Sequence, residues 1–133
     1  MDKLEVGMSA QFSKTITEGD VYGFAGITGD FNPAHINKEY AEKSQFGERI
    51  AHGMLSAGLI SAVIGMQLPG PGTIYLSQSL KFTMPVHIGD TITSIVTVSE
   101  LLHQKNRAIL ETVCVNQDGK KVMDGSAVVM PPV

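Results

Sequence analysis

Residues 54–68 form an apolar run broken by polar side chains only at Ser56, Ser61 and Gln67. The run falls short of the roughly 18 to 20 residues that cross a bilayer. It is also too apolar to face water, so it predicts a helix buried in a core built by the rest of the chain. The chain's 133 residues suffice for that as a single domain over residues 1–133, burying about two-thirds of the surface that the unfolded chain exposes.

The segments around this run differ in character. A short strand is expected near Ala10 to Ile16, and Thr17-Glu18-Gly19-Asp20 has the form of a capping box. Val21, Phe24, Ala25 and Thr28 then recur at helical spacing, and Gly29 ends that helix. Asn37 reads as the N-cap of a second short helix over Lys38 to Lys43. From Thr73 onward the chain reads as strands: Thr73 to Met84, Thr91 to Leu101, Arg107 to Asn116 and Lys121 to Met130. The last two flank Asp118-Gly119, a strong hairpin signal. One apolar helix and several antiparallel strands make an α+β domain, with a curved sheet wrapped around the helix.

The predicted central helix has two unequal faces. Gly58, Ser61, Ala62 and Gly65 give a face of small residues, while Leu55, Leu59, Val63 and Met66 give a bulky one. Glycine inside a helix costs about 1 kcal/mol relative to alanine, so the small face suits plain packing or the close approach of a thin ligand. Ser61 either lines a pocket or bonds back to its own helix. Gly53 opens the helix, where its N–H has no intrahelical partner and the helix dipole adds partial positive charge. Such an N–H can receive the oxygen of a polarised carbonyl.

The run Gly29-Asp30-Phe31-Asn32-Pro33-Ala34-His35 carries the chemistry. Proline fixes its own φ and drives the preceding residue out of the helical region, so the first helix cannot continue through it. The turn can hold Asp30 and His35 around one water molecule, a pair suited to moving a proton on and off water. Spacing alone leaves a second reading open, with Asp30 and Asn32 as turn formers and His35 on the surface. His52 reads as a loop hydrogen-bonder or a direct catalytic group. His87 and His103 fall in or beside turns, where solvated side chains are expected.

Several classes are disfavoured. A net charge of −3 with scattered basic residues gives no footprint for nucleic acid. Four dispersed histidines and one cysteine give no metal-ligand spacing. No glycine-rich loop has phosphate-binding form; Gly70-Pro71-Gly72 is a turn into a strand. Cys114 stands alone between valines and is read as a small buried hydrophobe, so no intrachain disulfide is expected. The first residues show no basic segment followed by an apolar run, so no secretory signal or membrane span is expected, and the cytoplasm is the expected location.

Gly29-Asp-Phe-Asn-Pro-Ala-His35, followed by Ala51-His-Gly-Met54, resembles the hydratase motif of MaoC-like hotdog proteins. Within them the chain is most similar to the short (R)-specific enoyl-CoA hydratases. The similarity extends through Gln67-Leu-Pro-Gly70, Ile74 to Leu80 and Pro85-Val86…Gly89-Asp90, nearly the whole chain. Many relatives carry Asp where this chain has Asn37, and both are good N-caps.

The resemblance implies a hotdog fold and a homodimer whose sheets join edge to edge. It implies reversible hydration of a trans-2-enoyl-CoA thioester to an (R)-3-hydroxyacyl-CoA, without metal or redox cofactor. Asp30 and His35 match the family's catalytic pair, and Gly53 its carbonyl-binding amide; Asn32 and Ser61 are expected in the substrate pocket. Arg49, Lys81, Lys105 and Arg107 either meet the CoA phosphates or are solvated. A hotdog thioesterase would need a carboxylate or base near the central helix, and no Asp, Glu or His occurs from Gly53 through Val86. A non-catalytic acyl-thioester-binding domain has no need for Asp30 and His35 together.

Overall fold

The computed structural model describes residues Met1–Val133. Five strands, β1 (Ser9–Thr15), β2 (Ile74–Phe82), β3 (Thr91–Leu102), β4 (Arg107–Val115) and β5 (Lys121–Met130), form one sheet in the order β1-β3-β4-β5-β2. Every neighbouring pair is antiparallel. Four α-helices precede β2: α1 (Glu18–Thr28), α2 (Pro33–Ile36), α3 (Lys38–Glu42) and α4 (Gly53–Met66). The sheet packs around α4 as the hotdog architecture requires.

Burial explains why the apolar run becomes α4. Leu55, Leu59, Ile60, Val63 and Ile64 all face the core. They meet alternate residues of β3 (Ile92, Val96, Val98) and of β4 and β5 (Leu110, Val122, Val129) in one cluster. Each such side chain contributes about 1.5–3 kcal/mol on burial, which outweighs the cost of the helix glycines. The expected bulky face is corrected at one position: Met66 is 73% exposed, because the buried stripe passes through Ile60 and Ile64 instead. The small face stays open, with Gly58 and Ser61 exposed.

Local signals are realised at the predicted places. Thr17 Oγ1 accepts from the Asp20 N–H at 3.0 Å, and the Thr17 N–H donates to the Asp20 carboxylate at 2.9 Å. Gly29 closes α1 with φ 82°, and Asn37 Oδ1 caps α3 by accepting from the Tyr40 N–H at 3.0 Å. The β4–β5 turn takes Gly119 at φ 74° while Asn116 Oδ1 accepts from the N–H groups of Asp118 and Lys120.

One element was not expected. Pro33 ends nothing itself; it occupies the first turn of the one-turn helix α2, where a missing N–H costs no hydrogen bond. No helix is long and apolar enough to cross a membrane.

Candidate active site

The loop after α1 is built by a relay of short hydrogen bonds. The Asp30 N–H donates to Thr28 Oγ1 at 3.1 Å, and the Asn32 N–H donates to Asp30 Oδ1 at 3.2 Å. The Ala34 N–H then donates to Asn32 Oδ1 at 3.0 Å. Asn32 is therefore the N-cap of α2. Its carboxamide oxygen is held by the local backbone, and it does not line either of the two large cavities described below.

Longer-range bonds fix the side chains. His35 Nδ1–H donates to the Ile50 carbonyl at 2.7 Å; a carbonyl only accepts, so a neutral ring keeps its lone pair on Nε2. The Ile50 segment is fastened in turn, with its N–H on the Ala34 carbonyl at 3.3 Å and the Ala51 N–H on the Val86 carbonyl at 2.7 Å. His52, buried, donates from Nε2 to the Asp30 carbonyl at 2.9 Å and stacks on His35 with ring centroids 3.9 Å apart. One ligand-type atom from each of Asp30, His35 and His52 lies within 4.8 Å of the others.

Although the three side chains cluster, the ring planes of the two histidines lie face to face, 30° from parallel. In-plane lone pairs of stacked rings run side by side rather than converging on one ion. One nitrogen of each ring is also held by a carbonyl. The donor set suits proton transfer to a small molecule better than the tetrahedral grip of a structural ion.

Two cavities meet here. The larger, about 660 Å³, is lined by Asp30, His35, His52, Gly53, Ser61 and Tyr75. The second, about 480 Å³ and mainly apolar, is lined by Phe46, Met54, Phe82, Met84 and Val86. His35, Gly53 and Met54 belong to both. The predicted Asp30, His35, Gly53 and Ser61 thus share one cavity wall, and the open small face of α4 is what admits Ser61 to it.

Arg49 is paired at the surface. It bonds Tyr22 Oη at 2.6 Å and Glu18 at 3.2 Å, and the Arg49 guanidinium draws the Glu18 carboxyl below the usual carboxylate range. His87 is not fully solvated either: its Nδ1 lies 2.6 Å from the Glu48 carboxylate.

Residues 3–121 match the family model described as MaoC like domain. The chain belongs to the MaoC-like family. This MaoC-like chain is 53% identical over 131 residues to the (R)-specific enoyl-CoA hydratase of Rhodospirillum rubrum, covering 98% of the chain and 90% of that protein. It is 49% identical to the 3-hydroxybutyryl-CoA dehydratase of Methylorubrum extorquens, covering 98% and 83% of the two. The solved (R)-hydratase from A. caviae involved in PHA biosynthesis superposes with a TM-score of 0.96 at 43% identity, over 99% of this chain and 100% of that one.

Proposed function

We propose that this protein is an (R)-specific enoyl-CoA hydratase, adding water reversibly to trans-2-enoyl-CoA to give (R)-3-hydroxyacyl-CoA. The observation that carries the reading is the meeting of the Asp30 carboxylate, the His35 ring and the start of α4 on one cavity wall. Relatives at 53% and 49% identity that are named for this hydration and for its reverse support it.

Water is a poor nucleophile and C3 of an enoyl thioester only a mild electrophile. Asp30 and His35 orient the water, and Asp30 takes its proton as oxygen bonds to C3. The C2=C3 electron pair moves toward the thioester, whose oxygen gains enolate charge. The Gly53 N–H, with the α4 dipole behind it, stabilises that charge. A proton returned to C2 by the same pair completes the addition, with H and OH delivered from one side of the substrate. Because the two cavities join at His35 and Gly53, a long thioester can extend both ways from its reacting carbons.

The active form is a homodimer. β2 is an edge strand with Ile74, Leu76 and Phe82 all exposed, an unpaired apolar edge that a second copy would cover. The cytoplasm suits a chain whose one cysteine is buried and unpaired.

Purified protein given crotonyl-CoA should bleach the conjugated-thioester absorbance and yield (R)-3-hydroxybutyryl-CoA on chiral analysis. Asp30→Asn and His35→Ala should each lower kcat about 10²- to 10⁴-fold while staying folded. Release of free CoA without hydroxyacyl product would overturn the reading in favour of a thioesterase.

A further inference from the structure

We infer that His52 is a positioning residue that sets both members of the Asp30–His35 pair, an inference that rests on the hydratase reading above. His52 is only 2% exposed, yet its Nδ1 has no hydrogen-bond partner. An apolar ring of the same shape would avoid that unmet acceptor. What the imidazole supplies instead is its other nitrogen, whose N–H holds the Asp30 carbonyl at 2.9 Å. That bond ties the loop after α1 to the start of α4, across 22 residues of chain, and so fixes the backbone from which the Asp30 carboxylate projects.

The ring does a second job. It stacks on His35 at 3.9 Å, with Phe24 packed at 4.8 Å, so it is itself held in place. Against this backing the His35 ring cannot tilt out of its plane without losing the stack and straining the Ile50 bond. The Ile50 carbonyl keeps the proton on Nδ1, and the stack holds the ring plane so that Nε2 keeps its direction. His52 also immediately precedes Gly53, so one residue links the carboxylate, the second imidazole and the amide proposed to bind the thioester oxygen.

Two substitutions separate the two contacts. His52→Gln retains a side-chain N–H for the Asp30 carbonyl and loses the ring, while His52→Phe retains the ring and loses the N–H. Each is expected to lower kcat on crotonyl-CoA about 10- to 100-fold with KM within about threefold, since misplacement near 1 Å has that effect. Imidazole ¹⁵N spectra give a readout independent of turnover. Wild-type His35 should be protonated at Nδ1 and His52 at Nε2, each as one tautomer, and His52→Gln, which frees the His35 ring to tilt away from the Ile50 carbonyl, should shift and broaden the His35 resonances.

The opposite tautomers in the wild type, an unchanged His35 spectrum in His52→Gln, or kcat within about threefold in both variants would overturn the inference. If a variant fails to fold, the wild-type His52 tautomer still tests the bond to the Asp30 carbonyl, and a proton on Nδ1 instead would overturn the inference. A wild type that turns over no enoyl-CoA would sink the hydratase reading instead, and the spectra would still test the positioning of His35.

Discussion

Gly53 lies against the ring of Phe82 so closely that a Cβ on Gly53 would fall 2.6 Å from Phe82 Cε1 and 2.7 Å from Cδ1. Nothing about the backbone dihedrals of Gly53 demands glycine; the neighbour does. The start of α4 can approach the wall between the two cavities only because this residue has no side chain.

Gly53→Ala should therefore displace the Phe82 ring, cost about 1–3 kcal/mol as an overpacked site, and lower kcat/KM by moving the proposed amide. Adding Phe82→Leu should return much of the lost stability. Thermal melts of the single and double variants, with kcat/KM on crotonyl-CoA, check this. A single variant as stable and active as the wild type would contradict it.

Gly125 on β5 is more tightly constrained. A Cβ there would fall 1.8 Å from the Ser79 carbonyl oxygen, a backbone atom of the neighbouring strand that no rotamer change can move. The Gln78 carboxamide also reaches past this point to Thr112 Oγ1 at 2.9 Å. Gly125→Ala should destabilise the protein more than Gly53→Ala does, at or above the upper end of the roughly 1–3 kcal/mol range. Urea denaturation of the two variants side by side would show the order.

The α1 capping box should leave a pH signature. The Thr17 N–H, opposed by partial desolvation and aided by Lys14 at 3.1 Å, holds the Asp20 carboxyl below its ordinary value of 3.8. A depressed carboxyl contributes stability that is present above the unfolded-state value and lost as pH falls through the folded one. The stability gap between wild type and Asp20→Asn should thus be constant near neutrality and close below about pH 4. Thr17→Ala, which removes the other half of the box, should cost about 1 kcal/mol. Chemical denaturation at several pH values measures both.

Cys114 should be inert in the folded protein. Burial pushes its thiol up to about 11, so almost no thiolate exists at neutral pH. Iodoacetamide at pH 8 should leave native protein unmodified and label it fully in denaturant. Rapid labelling of folded protein would show that the β4 core opens readily.

Much of this molecule is written in short stretches of sequence. The Thr17 box, the Gly29 terminus, the Asn37 cap and the Asp118-Gly119 turn each depend on hydrogen bonds between residues a few positions apart. Asp30, His35, Gly53 and Ser61 could be singled out because two motifs carry three of them and the small face of α4 carries the fourth. Asn32 has a local role of the same kind: a carboxamide two residues before Ala34 can cap α2, and that bond forms. His52 gave only a weak signal, an imidazole directly before a helix whose first turn it does not cap with its side chain.

By itself the sequence determined the strands and the helices other than α2, their ends to within about two residues, the apolar helix and the two motifs, since propensity, periodicity and turn chemistry act within a turn or two of the chain. Only the tertiary structure decided that β2 pairs with β5 and becomes an edge, that Met66 points to solvent, and that His52 stacks on His35. Those facts depend on contacts between distant residues, such as Asp30 with His52 and His35 with Ile50. They form only once the core has closed and its burial has offset the entropy of bringing those segments together.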